Sequence, residues 1–297
     1  GVKGKALDVV HPKNIQEVSI IVANANRIVV RGAGTGLVGG CVPQDGMDVV
    51  LDMSKMDSIS NFDSERKTIE VEAGVILDDL QEYVAKYGLE FPINPFSHAV
   101  ATIGGMIATD AVGSRAIKYG KTSKWVKWLE VIDDTGKIHK KGVTELSDYY
   151  GMEGITGVIV KACLKLSPLK RRTASLVEVE SLEEIVSIVR SLKRNSAISM
   201  IEFIDEEISK KLELDKSYHL IIEYEDDSGK LKDKEYKKLL TLREKIYPLV
   251  AKEGYNRIED PKIMIDRFVK LMNWLKERKI LVFGHIGVGI LHPCFNH

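Results

Sequence analysis

Residues 31–40 read Arg-Gly-Ala-Gly-Thr-Gly-Leu-Val-Gly-Gly, so five of ten positions are glycine. The run is entered from the apolar triplet Ile28-Val29-Val30. Glycine lacks Cβ, adopts positive φ readily and leaves its N–H uncovered. Successive uncovered N–H groups make a concave nest for an anion, most often a phosphate. Gly34, Gly36 and Gly39 fit G-x-G-x-x-G, the dinucleotide fingerprint of the doubly wound fold. That fingerprint works when a helix opens directly after it and turns its N-terminus to the pyrophosphate. Here Gly39-Gly40-Cys41-Val42-Pro43-Gln44-Asp45-Gly46 follows, and two glycines and a proline do not start a long helix. The next segment, residues 48–53, reads as a strand. The expectation is a strand–loop–strand phosphate cradle. A nicotinamide-dinucleotide site and a glycine-rich turn without ligand are the alternatives, but ten residues hold more glycine than a turn requires.

A chain of 297 residues is long enough for two domains with substantial cores. Its 43 basic and 43 acidic residues balance to zero, which gives no electrostatic case for a nucleic-acid partner. No apolar run reaches the roughly 18 residues of a membrane span, and the start carries no signal-peptide pattern. Cys41, Cys163 and Cys294 are scattered without a CxxC, which argues against a disulfide framework or a cysteine-rich metal site. A cytoplasmic location is the default expectation. The chain opens on Gly1 rather than Met, which suggests that part of a natural N-terminus is absent.

Local signals outline the elements. Asn14 and Glu17 form a capping box ahead of an apolar helix face at Val18, Ile21, Val22 and Ala25. Strands are expected at residues 27–30, 49–53 and 68–73, and a second helix buries Leu77, Leu80, Val84 and Tyr87 before Gly88 closes it. Residues 125–141 read as a hairpin around Asp134-Thr135-Gly136, and residues 157–166 as another strand. Pro168 and Lys170-Arg171-Arg172 suggest a boundary, giving domains at 1–172 and 173–297. Beyond it, Ser181 and Glu184 cap a helix whose inward face is Ile185, Ile188, Val189 and Leu192. Strands are expected at 200–204, 220–224 and 280–283, with long helices at 232–252 and 262–278. Few, widely spaced strands among helices suit an α+β cap on one sheet.

Residues 95–120 form a second cluster rich in small side chains, among them Thr102, Gly104, Gly105, Ala108, Ala111 and Gly113. They would let a large flat ligand lie on the backbone, or would close-pack a helix against a sheet. A third cluster runs Gly151-Met152-Glu153-Gly154-Ile155-Thr156-Gly157-Val158-Ile159. Three such clusters shift the balance toward one extended dinucleotide.

Together these segments resemble the FAD-binding domain of the PCMH-type (vanillyl-alcohol oxidase) flavoprotein family. The closest likeness is to the branch of glycolate oxidase large subunits, D-lactate dehydrogenases and D-2-hydroxyglutarate dehydrogenases. The resemblance covers nearly the whole chain. It implies an α+β protein: a PCMH-type FAD-binding domain of two α/β subdomains, then an α+β cap with an antiparallel sheet. It also implies that Arg31, Gly32, Ala33, Gly34, Thr35, Gly36, Leu37, Gly39 and Gly40 hold the FAD pyrophosphate. Pro95, Ser97, Thr102, Gly104, Gly105, Ala108, Asp110, Ala111, Gly113 and Tyr119 would line flavin and pyrophosphate, and Glu153, Gly154, Gly157 and Ile159 the adenine and ribose side. Asp110 stands where the family often has Asn, and Met152 where it often has Ser. No histidine of the covalent-tether kind lies in the first loop and Cys41 falls beyond it, so FAD is expected to be held non-covalently.

The likeness continues through residues 242–246, Gly254-Tyr255 and Asp260. It implies that Arg243 grips a substrate carboxylate, a task that suits a planar guanidinium; a surface helix arginine is the plainer reading. Residues 284–293 resemble the family's G-H-x-G-D-G-N-x-H, in which both histidines bind a divalent metal. His285 and His292 match, and a metal there, zinc or manganese, would lower the pKa of the substrate hydroxyl. Val288 and Ile290 replace the Asp and Asn of that pattern, and Ile258 stands where some members have a substrate-binding lysine, with Arg257 beside it. The sequence stops at His297, ahead of a later Glu-His segment that supplies a third ligand in the family. The resemblance implies FAD-dependent oxidation of a D-2-hydroxy acid of the D-lactate or glycolate type, with Arg243, His285 and His292 in the reaction. The partners would be that small acid and an electron acceptor such as a quinone or protein carrier, in a homo- or hetero-oligomer. The alternative is a non-catalytic FAD-binding subunit of a larger hydroxyacid oxidase complex.

Overall fold

A computed structural model describes residues 3–255 and 257–296; the terminal residues Gly1 and His297, on which the expectations about the chain ends fall, lie outside them. The chain divides into two compact units. The first comprises the chain up to Gly113 together with Lys121–Leu169, and the second Ser114–Gly120 and the chain from Lys170 onward.

The first unit holds two principal sheets. Asp8–Val10, Val49–Asp52 and Ile28–Arg31 form a parallel sheet in that order. The parallel connections need crossovers, and helix Ile15–Asn24 supplies one. Its start is fixed locally: Asn14 Oδ1 accepts the Glu17 N–H at 2.9 Å, while Glu17 reaches back to the Lys13 N–H at 2.8 Å. Val18 and Val22 then bury themselves against Leu51, Met53, Ala73, Ile132 and Val160. The second sheet is antiparallel, in the order Ile59–Asp63, Thr68–Glu72, Val158–Lys165, Val126–Ile132, Ile138–Lys141. Helix Leu77–Ala85 buries Leu77, Leu80 and Val84 as its period demands. Tyr87, expected on that stripe, is instead 52% exposed. The helix ends at Ala85, so Tyr87 leaves the helical period and rests on Phe62, ring centroids 4.4 Å apart.

The second unit is one six-stranded antiparallel sheet ordered Thr173–Val179, Tyr218–Tyr224, Ile198–Ile204, Leu281–Gly284, His292–Phe295, Arg257–Ile258. Side chains alternate between its faces. Val179, Ile201, Phe203, Leu220, Ile222 and Val282 pack under helices Leu182–Leu192 and Phe268–Glu277. Glu202 and Glu223 stand on the opposite face and are buried there too.

Three sequence expectations need correction here. Strand Thr173–Val179, which no local signal announces, is an edge of the sheet directly after the basic run that suggests a boundary. The single helix expected at 232–252 is two, Asp233–Glu244 and Ile246–Lys252. Pro248 causes the break, since it has no N–H for the carbonyl four residues back and its ring crowds that carbonyl. The helix expected at 262–278 begins only at Phe268. Lys262 is bridged to Ile290, and the Ile263 N–H donates to the Gly289 carbonyl at 2.7 Å, so tertiary pairing holds this stretch extended.

Candidate functional site

In the first unit the three glycine-rich segments converge at the end of strand Ile28–Arg31. A Cβ on Gly32 would lie 2.2 Å from Thr102 Oγ1, and one on Gly40 would lie 1.8 Å from Glu153 Oε2. The Glu153 N–H donates to the Ala108 carbonyl at 2.9 Å, which ties the third segment to the second. A Cβ on Gly154 would meet Val30 at 3.5 Å. Gly34 and Gly39 sit at φ 70° and 81°. A Cβ on Gly36, by contrast, would meet nothing within 4 Å. The loop of Ala33, Thr35 and Leu37 is therefore bare around Gly36, and Leu37 and Val38 are exposed.

The second segment divides its labour. Thr102 caps helix Ile103–Ala108 by accepting the Gly105 N–H at 3.3 Å. Gly104 presses on Ala73, where a Cβ would come within 2.6 Å of the alanine Cβ. Gly113 lies on the Asn94 backbone at 2.5 Å by the same measure. These two glycines serve packing, the plainer of the two readings. Pro95 and Ser97 lie in the loop before the helix, and the Ser97 carbonyl accepts the Ala101 N–H at 2.8 Å. Ala111 hands its carbonyl to the Thr122 hydroxyl at 2.8 Å. Gly157 sits against the Ile132 carbonyl, and Ile159 is buried in strand Val158–Lys165. Asp110, at φ 47°, takes the left-handed conformation that Asn and Asp tolerate. Its carboxylate accepts the Ser123 N–H at 3.0 Å and pairs with Lys121 at 3.2 Å, so its charge is compensated.

The cradle fits an anionic dinucleotide on two observations. Gly36 faces open space, and the Tyr150 hydroxyl, directly before the third segment, is buried with no hydrogen-bond partner among the described residues. Burial and the Asp110 charge push that phenol up, so it stays a donor. Sequence reasoning passed over Tyr150. Tyr119, by contrast, belongs to the second unit, with its hydroxyl on Glu225 and beside Arg172.

In the second unit Arg243, His285 and His292 come together. Arg243 ends helix Asp233–Glu244 and is 3% exposed. Its Nε donates to Glu202 Oε2 at 3.0 Å. The other oxygen of Glu202 holds His285 Nδ1. Burial alone would raise the Glu202 carboxyl, but Arg243 and His285 hold it down at about 2. His292 Nδ1 meets Asp260 Oδ1 at 2.5 Å, and the two imidazoles stand edge to face with centroids 5.0 Å apart. His292 Nε2 is buried and has no hydrogen-bond partner among the described residues. Gly289 makes this turn possible: it sits at φ 76°, and a Cβ there would lie 2.1 Å from the Ile263 carbonyl oxygen.

Val288, Ile290 and Ile258 are half-buried, and the Phe283 ring lies 5.0 Å from His292. Arg257 does not stand in for a lysine at 258: it is exposed, pairs with Glu259 at 2.7 Å, and neighbours on a strand point to opposite faces. Two histidines with Nδ1 on carboxylates are oriented as metal ligands usually are. A catalytic zinc site takes three protein ligands, and among the described residues no group of three or more His, Cys, Asp or Glu could hold a metal. Among the described residues the donor set is thus incomplete.

Glu202 was missed from sequence, although the signal was there. A lone carboxylate in Ile198–Ile204, Ile-Ser-Met-Ile-Glu-Phe-Ile, is apolar-flanked on both sides, and a buried carboxylate needs partners.

Comparisons with known proteins give the family and the fold. Residues 6–142 match a family model described as an FAD binding domain. A D-lactate dehydrogenase of Anaerostipes hadrus is 36% identical over 67% of this chain and 45% of its own length. A D-lactate dehydrogenase of Archaeoglobus fulgidus is 30% identical, covering 96% of this chain and 74% of its own. A glycolate oxidase subunit GlcD of Bacillus subtilis is 28% identical over 96% and 72%. Among solved structures, an alkyldihydroxyacetonephosphate synthase superposes with a TM-score of 0.76 at 20% identity, covering 96% of this chain and 70% of that one, which speaks to the fold alone. This chain thus spans under half of the first relative and about three quarters of the second.

Proposed function

The chain belongs to the PCMH-type FAD-binding flavoprotein family, and from that premise we propose that it oxidises a D-2-hydroxy acid of the D-lactate or glycolate type. The observation that carries the reading is the cluster in which one buried carboxylate, Glu202, joins Arg243 to His285, with His292 edge-on beside it. A guanidinium and two carboxylate-held imidazoles are the groups that a 2-hydroxy acid needs. Arg243 pairs with the substrate carboxylate through its planar donor fork. Asp260 accepts the hydrogen bond of His292 Nδ1–H, which leaves the lone pair of the ring at Nε2. That buried nitrogen accepts the proton of the 2-hydroxyl as the Cα hydrogen departs, and Asp260 stabilises the imidazolium that forms. The bare amides around Gly36 and the Tyr150 hydroxyl would hold FAD, which would supply the hydride acceptor. The Phe283 ring beside His292 suits a short apolar substituent on Cα.

Relatives named as dehydrogenases across most of this chain weigh against a non-catalytic subunit. The test is anaerobic mixing of the FAD-loaded protein with D-lactate, L-lactate, glycolate and D-2-hydroxyglutarate. Bleaching of the visible flavin band by D-lactate or glycolate is expected. A flavin that stays oxidised with every acid overturns the reading.

A further inference from the structure

Glu202 does more than balance charge. It is 2% exposed, lies at the centre of strand Ile198–Ile204, and uses each oxygen for a different group: Oε2 for Arg243 Nε at 3.0 Å and Oε1 for His285 Nδ1. Both partners are themselves buried, at 3% and 5% exposure. The partners come from distant parts of the chain, one from the last turn of a helix and one from the turn after strand Leu281–Gly284. A central strand moves little, so a carboxylate fixed on it is a rigid reference for both.

We propose that Glu202 is the positioning residue of the site, fixing the guanidinium plane of Arg243 and the ring orientation of His285 together. The inference rests on the functional reading above. A single carboxylate that orients Arg243 and also His285, whose ring packs edge to face on His292 with centroids 5.0 Å apart, makes substrate binding and hydroxyl handling mutually dependent. Loss of the Glu202 charge therefore disturbs both, whereas a buried carboxylate of purely structural value would affect stability alone.

The test follows flavin reduction in rapid-mixing experiments on the FAD-loaded protein, reading the substrate dissociation constant and the limiting reduction rate separately. In Glu202→Gln, flavin content is expected to stay at the wild-type level, because the glycine loops lie in the other unit. The dissociation constant should rise and the limiting rate fall, each by about 10–100-fold, the usual cost of removing a group that orients a site residue. Glu202→Asp keeps the charge but is one methylene too short to reach both partners, so it should restore one constant and not the other. Both constants within about twofold of wild type in either variant overturn the proposal. If Glu202→Gln does not fold, Glu202→Asp decides alone by the same criterion. A wild type reduced normally beside variants that match it removes only the role of Glu202. A wild type that no 2-hydroxy acid reduces removes the functional reading and this role together.

Discussion

The glycines of this chain are not interchangeable, and their differences are measurable. Gly36 and Gly104 were both expected at the cofactor, yet a Cβ meets open space at the first and the body of Ala73 at the second. Gly104→Ala is expected to cost about 1–3 kcal/mol through overpacking, seen as a lower urea midpoint of the apoprotein. Gly36→Val should leave that midpoint unchanged and lower the flavin retained per chain after gel filtration. Equal effects of the two substitutions on apoprotein stability would contradict the division. Arg243, His285 and His292, which a motif singles out, lie together in the second unit. Residue identity read poorly where the role depends on a distant partner. Nothing near Asp110 in sequence announces that Lys121 compensates it, and nothing near Arg172 announces Glu225.

Elements were legible where their signals are local. The boxes at Asn14 and Ser181 cap helices that start where their side chains accept the N–H three residues on. Extended segments paired across long sequence distances were not. Thr173–Val179 was lost behind Lys170-Arg171-Arg172, a run that looks solvated, although Arg172 is 8% exposed and pairs with Glu225 at 2.9 Å. The short helix Ala116–Tyr119 shows the same dependence. Arg115 before it donates to Glu223 at 2.8 Å, Lys118 reaches Glu225 at 2.6 Å, and Tyr119 adds its hydroxyl to Glu225. Glu223 has no exposure and lies between Arg115, Arg172, Tyr236 and Ser199. Arg115→Met removes the nearest cation from a buried carboxylate and is expected to destabilise the protein by about 3–5 kcal/mol. Urea denaturation measures it, and a loss comparable to that of an exposed ion pair would show that the carboxylate finds other partners.

Across the whole molecule, charges balance while buried carboxylates diverge. Arg115 and Arg172, against the opposing pull of burial, hold Glu223 at about 2. Its folded value is below its ordinary value of 4.5, so its contribution is present above that pH and is lost as pH falls toward 2. By linkage that contribution is on the order of 3 kcal/mol. Asp205 runs the other way: burial raises it to about 7, against the pull of the Ile208 and Val282 N–H groups. The folded state keeps its proton longer than the unfolded chain does, so stability declines as pH rises from about 4 to about 7. Urea midpoints are therefore expected to peak in mildly acidic buffer. Asp205→Asn should flatten the neutral side of that profile and leave the acid side intact; an unchanged neutral side would remove Asp205 from the account. Among the described residues no helix is long and apolar enough to cross a membrane.

Because the polypeptide visits the second unit briefly at Ser114–Gly120 before returning for good at Lys170, no single cut separates the two. A fragment expressed from residue 170 onward would inherit Glu223 without Arg115, the cation that closes on it from an earlier stretch of chain. Anyone dissecting this protein into halves would do better to graft that heptapeptide back, or to supply it as a separate synthetic strand and watch whether the truncated half becomes soluble.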